Sequence, residues 1–177
     1  MGAETQKQSK DETMKIKGEI TDGRVWVDGK ELFAGRSLDV LRHNPDGFMW
    51  GYEGSGPAQL ALALLLLVTG NKTALEHYQE FKREFVSKWK DDFEVEVDII
   101  AWLDKRCPVK TFYVTFGQVH VHKINGKTFD KDCVARIKAR DMGEAHDMAM
   151  ALFNGVFCFV NEEPHLEFYP RGIIDAA

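Results

Sequence analysis

Hydrophobic and polar positions alternate in several short runs of the first half of the chain. Residues 15–20 alternate as a β-strand does, and residues 24–32 predict a β-hairpin with Asp28 and Gly29 at its tip. Residues 93–98 alternate in the same way, and residues 99–106 are typical of a short helix. The pattern therefore predicts a small β-structure in this half, closed by a helix.

Two further helices are predicted between these strands. Residues 58–68 are apolar on every side except at Gln59, and the run is well short of the roughly 20 residues that a membrane span needs. We interpret it as a buried central helix and expect no membrane segment. A second helix, residues 73–88, repeats its large apolar residues every three or four positions. This spacing predicts one buried face made of Leu75, Tyr78, Phe81, Phe85 and Trp89.

The second half of the chain has a different rhythm. Residues 111–116 predict a strand, and residues 119–124 and 127–139 predict the arms of a hairpin around Asn125-Gly126. A capping box of Asp141 and Glu144 then begins a helix. Its predicted inward face consists of Ala145, Met148, Ala149 and Leu152. Apolar strands are predicted at residues 157–160 and 166–174.

These elements predict an α+β protein of two modules that follow a polar tail. Residues 1–13 lack any apolar anchor and are predicted to be disordered. Residues 14–107 form the N-terminal module, a β-hairpin followed by a buried helix and an amphipathic helix. Residues 108–177 form the C-terminal module, an antiparallel sheet with one covering helix. The predicted boundary lies at Pro108.

Charge and cysteine content narrow the range of functions. The chain has 23 Lys+Arg against 28 Asp+Glu, a net charge of −5, and the tail and both modules are each slightly acidic. Without a basic excess, duplex nucleic acid is disfavoured as a partner. The three cysteines are widely spaced, with no C-x-x-C pair, which is typical of reduced thiols in a cytoplasm. The composition carries no signal for an oligomeric state.

A loop rich in glycine and aromatic residues, residues 47–57, precedes the buried helix. Its backbone N–H groups and the helix N-terminus beside Ser55 suit an anion, and Trp50 and Tyr52 suit a flat ligand. In the alternative interpretation, the aromatic rings wedge the loop under the helix. Gln59 requires a hydrogen-bond partner if it is buried, and the backbone of the preceding loop is one candidate.

The C-terminal hairpin carries a second candidate site. His120 and His122 share one face of a strand, and Asp130 and Asp132 share one face of its partner, so the four side chains suit a divalent metal in one register. A two-residue turn at Asn125-Gly126 turns the aspartates away from the histidines, whereas a three-residue loop brings His120 opposite Asp130. A polar, solvated sheet face is the alternative, and we predict no cofactor.

The segment of about residues 14–104 contains His43, the run GFMWGYEGSGPAQLALALL, and Tyr78 with Phe81-Lys82. With these motifs the segment resembles a family found in phages, prophages and plasmids that has no known activity. The C-terminal stretch around Gln118, FGQVHVHKINGKTFDKDCVARIKA, is similar to small uncharacterised phage-encoded proteins. The resemblance implies accessory biology of a mobile genetic element and a location in a bacterial cell.

We expect a non-enzymatic accessory protein that binds a host protein or a small ligand, with modulation of host defence as one such role. No complete catalytic constellation is present in the sequence. The candidate contact residues are His43, Trp50, Tyr52, Ser55, Gln59, Gln118, His120 and His122. The alternative is a metal-dependent hydrolase of phosphoesters that uses His120, His122, Asp130 and Asp132 as ligands.

Overall fold

The computed structural model describes residues 13–176, which divide into two compact units. The first unit takes the chain up to Ala63 together with Phe81–Lys105, and the second takes Leu64–Glu80 together with the chain from Arg106 onward. Each unit combines helices with a sheet, which confirms the predicted α+β class. The predicted disordered tail lies outside the described residues except for Thr13. The predicted modules differ from these units mainly in the placement of residues 64–80, and their independent folding stays a prediction.

The sheet of the first unit contains four antiparallel strands in the order β3-β2-β1-β4. Asp28 and Gly29 have φ values of 49° and 78°, the left-handed conformation that a two-residue hairpin turn requires, so the predicted hairpin is confirmed. One face of the sheet is buried through Ile16, Val25 and Val27. The strands are β1 (Met14–Glu19), β2 (Arg24–Val27), β3 (Lys30–Leu32) and β4 (Phe93–Val97).

Four helices lie between residues 35 and 104. They are α1 (Gly35–Val40), α2 (Ser55–Leu66), α3 (Asn71–Glu84) and α4 (Ile99–Asp104), and the division between the two units falls within α2 and α3. From Ala58 to Leu66 every residue of α2 is at most 2% exposed, which confirms the predicted buried helix. Across residues 13–176, no helix combines the length and the apolar content that a bilayer crossing requires.

The buried stripe of α3 differs from the predicted face at its first residue. Tyr78 and Phe81 are buried as predicted, but Leu75 is 38% exposed and Ala74 is buried in its place. Ala74, Tyr78 and Phe81 are spaced by four and then three residues, about one helical turn each, so they lie on one face of the helix. The side chain of Leu75 is rotated by about 100° around the helix axis from that of Ala74. The prediction also differs at its end: the helix stops at Glu84 and a 3-10 turn, Val86–Lys88, follows, so the half-buried Phe85 and the buried Trp89 lie beyond the helix.

The second unit contains a four-stranded sheet, a separate hairpin and one long helix after the capping box. The sheet has the order β10-β8-β5-β9, and β6 pairs with β7. Helix α5 covers the sheet face that carries Phe112, Val114 and Ile137, as predicted. The elements are β5 (Lys110–Thr115), β6 (His122–Ile124), β7 (Lys127–Phe129), β8 (Val134–Ala139), α5 (Met142–Leu152), β9 (Phe159–Asn161) and β10 (Ile173–Asp175).

Two features of this sheet differ from the prediction. The second arm of the predicted hairpin is interrupted, because β7 ends at Phe129 and β8 pairs with β5 instead. The last strand runs parallel to β8, with Ile173 opposite Val134, so the sheet is mixed and not wholly antiparallel. Strands β9 and β10 lie at opposite edges of the sheet, so the chain between them has to cross it. An adjacent hairpin strand would run antiparallel to its neighbour, whereas a strand reached by such a crossover can run parallel to it.

Candidate functional site

The aromatic residues of the glycine loop have different environments. Trp50 is 2% exposed, its Nε1 donates to the carbonyl oxygen of Asp91 at 2.8 Å, and its ring meets Phe93 edge to face. Tyr52 is 47% exposed and its ring lies over Gly54, so closely that a Cβ there would overlap the ring. Ser55 is exposed at the start of α2. Trp50 therefore belongs to the core, which agrees with the interpretation that it wedges the loop and argues against stacking of Trp50 on a ligand, while Tyr52 and Ser55 remain accessible.

Gln59 is fully buried and holds the segment before the glycine loop. Its Oε1 accepts from the backbone N–H groups of His43 at 2.8 Å and Asn44 at 3.1 Å. Its Nε2 donates to Ser37 Oγ at 2.8 Å and to the carbonyl oxygen of Leu41 at 3.2 Å. The hydrogen-bonding capacity of the amide is thus used within the first unit, which supports the interpretation that Gln59 satisfies loop backbone.

A cluster of three titratable side chains, His43, Glu53 and Lys82, lies beside this loop. The Nζ of Lys82, a residue only 9% exposed, is 2.7 Å from Oε2 of Glu53. Burial, followed by the positive charge of Lys82, lowers the pKa of His43. The hydrogen bond from Lys82 lowers the pKa of Glu53 as well. Because Glu53 already neutralises the ammonium, the cluster links the loop to α3 and does not present Lys82 as a cation for an anionic ligand.

The predicted histidines of the second unit are engaged by their own surroundings. Nδ1 of His120 accepts from the backbone N–H of Gly117 at 3.1 Å, and Nε2 of His122 lies 2.7 Å from the carbonyl oxygen of Val156. The ring of His122 packs against Phe116 and Phe153, with centroid distances of 5.5 and 5.3 Å. Gln118, two residues before His120 in the same loop, is exposed. Both histidines therefore help to hold the loop that follows β5.

The register of the hairpin separates the residues of the metal alternative. Asn125 and Gly126 have φ values of 49° and 76° and form a two-residue turn that pairs His122 with Phe129. Asp130 instead accepts a hydrogen bond from Nη1 of Arg171 at 2.6 Å, and Asp132 accepts one from Nζ of Lys131 at 2.9 Å. Within residues 13–176 no three His, Cys, Asp or Glu side chains are placed to hold a metal ion, so the predicted hydrolase site is not assembled.

Sequence reasoning missed a cavity of about 240 Å³ in the second unit, here called the aromatic cavity. It lies on the sheet face opposite α5, because Tyr113, Thr115 and Val134 alternate along their strands with the residues that α5 covers. The segment that crosses from β9 to β10 supplies the rest of the wall. The side chains used below are Tyr113, Phe159, Asn161, Glu163, Phe168 and Tyr169.

The walls of the aromatic cavity are unusually open to solvent. Phe159 is 68% exposed and Phe168 is 72% exposed, whereas Thr115 and Val134 form a buried floor at 7% and 0%. Strand pairing places Phe159 opposite Thr115 and Asn161 opposite Tyr113, so the rings and the amide occur on neighbouring strands. The apolar run of residues 157–160 was the available signal: within β9, Val160 packs against the core, and its neighbour Phe159 therefore faces away from it.

Comparison with known proteins gives a family and no activity. A family model described as "Family of unknown function (DUF6166)" matches residues 16–105. No curated protein and no solved structure matches the chain. The match covers most of the region in which the sequence resembles an uncharacterised family, and it leaves the aromatic cavity, whose lining starts at Tyr113, outside the matched residues.

Proposed function

We propose, from the premise that this chain belongs to the DUF6166 family of unknown function, that it is a non-enzymatic binding module. It acts as an accessory protein of a phage or plasmid in the bacterial cytoplasm, where it binds a host protein or a small ligand. Modulation of host defence is one role open to such a protein. The aromatic cavity is the recognition site in this proposal.

The exposure of Phe159 and Phe168 beside a concave surface carries the proposal. Fully burying a phenylalanine side chain contributes about 1.5–3 kcal/mol, so two rings left in water represent binding free energy that a partner can recover. Tyr113 and Tyr169 extend the same wall with groups that combine an apolar ring and a polar tip. Such a surface suits recognition, since aromatic residues are enriched where partners bind.

The state of the other candidate residues favours binding over catalysis. The polar atoms of Gln59 and His122 make hydrogen bonds within their own units, and Asp130 is paired with Arg171. Among the side-chain hydrogen bonds described for residues 13–176, the pair of Thr73 and Asp141 joins a hydroxyl to a carboxylate, but Asp141 is the N-cap residue of α5. We find no other nucleophile bonded to an adjacent base among these hydrogen bonds. The exposed loop that carries Tyr52 and Ser55 is a second accessible surface of the first unit.

The proposal is tested by replacing the two exposed rings together. Wild-type protein, the double variant Phe159→Ala/Phe168→Ala and the control Phe33→Ala are immobilised and exposed to bacterial lysate, and each is also screened against small ligands by thermal shift. Phe33 is a suitable control because it is 72% exposed and belongs to the first unit.

We expect wild type and the Phe33→Ala variant to retain the same stoichiometric partner or the same stabilising ligand. The double variant should lose it while keeping the wild-type melting temperature in buffer. The proposal is rejected if no partner and no ligand is found, or if the double variant binds as wild type does.

A further inference from the structure

We infer that the aromatic cavity binds an organic cation, namely an alkylated ammonium group or the ammonium-bearing side chain of a partner peptide. The inference rests on the proposed binding function and names the chemistry of its ligand. The two sources share a positive nitrogen surrounded by methyl or methylene groups, and the experiment below separates them.

The lining combines π-faces with a carboxylate. Tyr113, Phe159, Phe168 and Tyr169 contribute four aromatic rings to one small cavity. A cation over an aromatic face is attracted by the ring quadrupole, and several rings around one site are the arrangement that recognises quaternary ammonium ligands. Glu163 lies in the same lining and supplies the opposite charge. The lining includes no lysine or arginine. It does include His165, whose Nδ1 lies 3.8 Å from Oε1 of Glu167, so that carboxylate also faces the histidine.

The charges around the cavity also favour a positively charged ligand. Glu162 and Glu167 are exposed on the segment that also carries Glu163 and Phe168. Arg136 pairs across the sheet with Tyr113, and its guanidinium is held by the carboxylate of Asp175 through Nε and Nη2. Arg171, two residues after Tyr169, donates to Asp130. A phosphate-bearing ligand would therefore meet carboxylates with a neutralised arginine beside them. Stacked nucleobases of a single strand fit the rings but not this charge.

The size of the cavity limits the ligand to a headgroup or one side chain. Its volume of about 240 Å³ is below the range of roughly 300–1,000 Å³ that is typical of sites for drug-sized ligands. The hydroxyl of Thr115 at the floor and the amide of Asn161 at the wall can orient a hydroxyl or backbone group next to the cation. A single ammonium with its methyl groups is a ligand of suitable size and polarity.

The experiment compares charged and neutral ligands of the same shape. Choline and its neutral isostere 3,3-dimethylbutan-1-ol are titrated into the full chain, followed by NMR, as are short peptides that differ only in lysine or trimethyl-lysine. We expect choline or one peptide to bind at least tenfold more tightly than the isostere or a matched norleucine peptide. Tighter binding of choline indicates a free small ligand, and tighter binding of a peptide indicates a protein partner.

Variants then assign the binding to the cavity. Glu163→Gln removes the carboxylate charge and is expected to weaken cation binding several-fold without changing the weak binding of the isostere. Phe168→Leu keeps apolar area but removes a π-face, and it should weaken the cation more than the isostere. Phe33→Leu, the control in the first unit, should leave both affinities unchanged.

Several outcomes overturn the inference and are distinguishable from failure of the proposed function. If the isostere binds as tightly as choline, the cavity does not select a cation. If an oligothymidine binds the cavity more tightly than choline or either peptide, the cavity is a binding site of different chemistry. If no cation binds while a lysate partner is still lost in Phe159→Ala/Phe168→Ala, the binding module stands without the cation. If both experiments are negative, both proposals fall.

Discussion

Gln59 shows how a single polar residue in an apolar helix can determine the path of the chain before it. Replacing it with leucine keeps the volume but leaves the backbone N–H groups of His43 and Asn44 without their acceptor inside the protein. An unsatisfied buried group costs about 1–3 kcal/mol, so we expect Gln59→Leu to lower the free energy of unfolding by about 2–4 kcal/mol. Urea denaturation followed by circular dichroism measures this loss.

The same substitution at an exposed glutamine is the matched control. Gln118→Leu, in the loop after β5, should change the free energy of unfolding by about 0.5 kcal/mol or less, because its side chain is solvated. Equal denaturation midpoints for Gln59→Leu and wild type would show that the loop finds other donors and acceptors, and that the four hydrogen bonds of the amide contribute little.

Residue type predicted the need for a partner at Gln59 but not the orientation of its aromatic neighbours. An amide in an otherwise apolar helix must be satisfied wherever the helix lies, so this requirement could be inferred from sequence. Trp50 and Tyr52 are two positions apart in a loop with no regular period, and one is buried while the other is 47% exposed. That difference depends on contacts with Asp91 and Phe93, which are distant in sequence.

At the scale of elements, the C-terminal end of β1 depends on a missing side chain. Gly18 is opposite Phe93 of β4, and a Cβ on Gly18 would overlap Cε1 of that ring. The ring also stacks on Trp89 and meets Trp50 edge to face, so it cannot move without disturbing both. We expect Gly18→Ala to cost about 1–3 kcal/mol of the free energy of unfolding, the range for overpacking.

A double-mutant cycle isolates this contact. In a Phe93→Leu background the ring is absent, and Gly18→Ala should then cost much less, because alanine otherwise suits a strand better than glycine does. Gly35→Ala is the control, since nothing lies within 4 Å of a Cβ at that position. Additive losses in the cycle would contradict the proposed overlap of Gly18 with the Phe93 ring.

Local patterns predicted most elements, and the failures occurred where pairing was long-range. Helix α2, the first hairpin and the capping box of α5 follow from periodicity, turn residues and capping chemistry within a few positions. The register at Asn125-Gly126 had two sequence-compatible solutions, and the positive φ of both residues identifies the two-residue turn. The parallel strand β10 and the aromatic cavity depend on a segment that crosses the sheet, and no local pattern encodes that path.

At the scale of the whole molecule, the family match and the compact units divide the chain differently. The match ends at residue 105, yet residues 64–80, which lie within it, belong to the second unit. Thr73 is fully buried and donates to Asp141, the N-cap residue of α5, and a Cβ at Gly70 would lie 3.4 Å from Cα of Glu144. The pKa of Asp141 is lowered from its usual value: burial alone would raise it, but hydrogen bonds from Thr73 and from the backbone of Glu144 and Gly143 outweigh that effect.

A fragment of residues 1–107 therefore exposes side chains that the second unit buries. Each large apolar side chain returned to water costs about 1.5–3 kcal/mol, and Thr73 also loses its acceptor. For a fragment of this size such a loss corresponds to a melting midpoint at least about 10 °C below that of the full chain. Thermal unfolding followed by circular dichroism, together with limited proteolysis between residues 64 and 80, tests this expectation.

Adding a separately produced fragment of residues 108–177 shows whether a low stability of residues 1–107 is due to the missing contacts of the second unit or to the cut itself. If the second unit needs both segments, mixing the fragments should restore protease resistance in residues 64–80, and Thr73→Val should reduce that restoration. A fragment of residues 1–107 that unfolds cooperatively at the midpoint of the full chain would instead support the boundary predicted at Pro108. In that case the region matched by the family would fold on its own, and the aromatic cavity would belong to a module joined to it without a shared core.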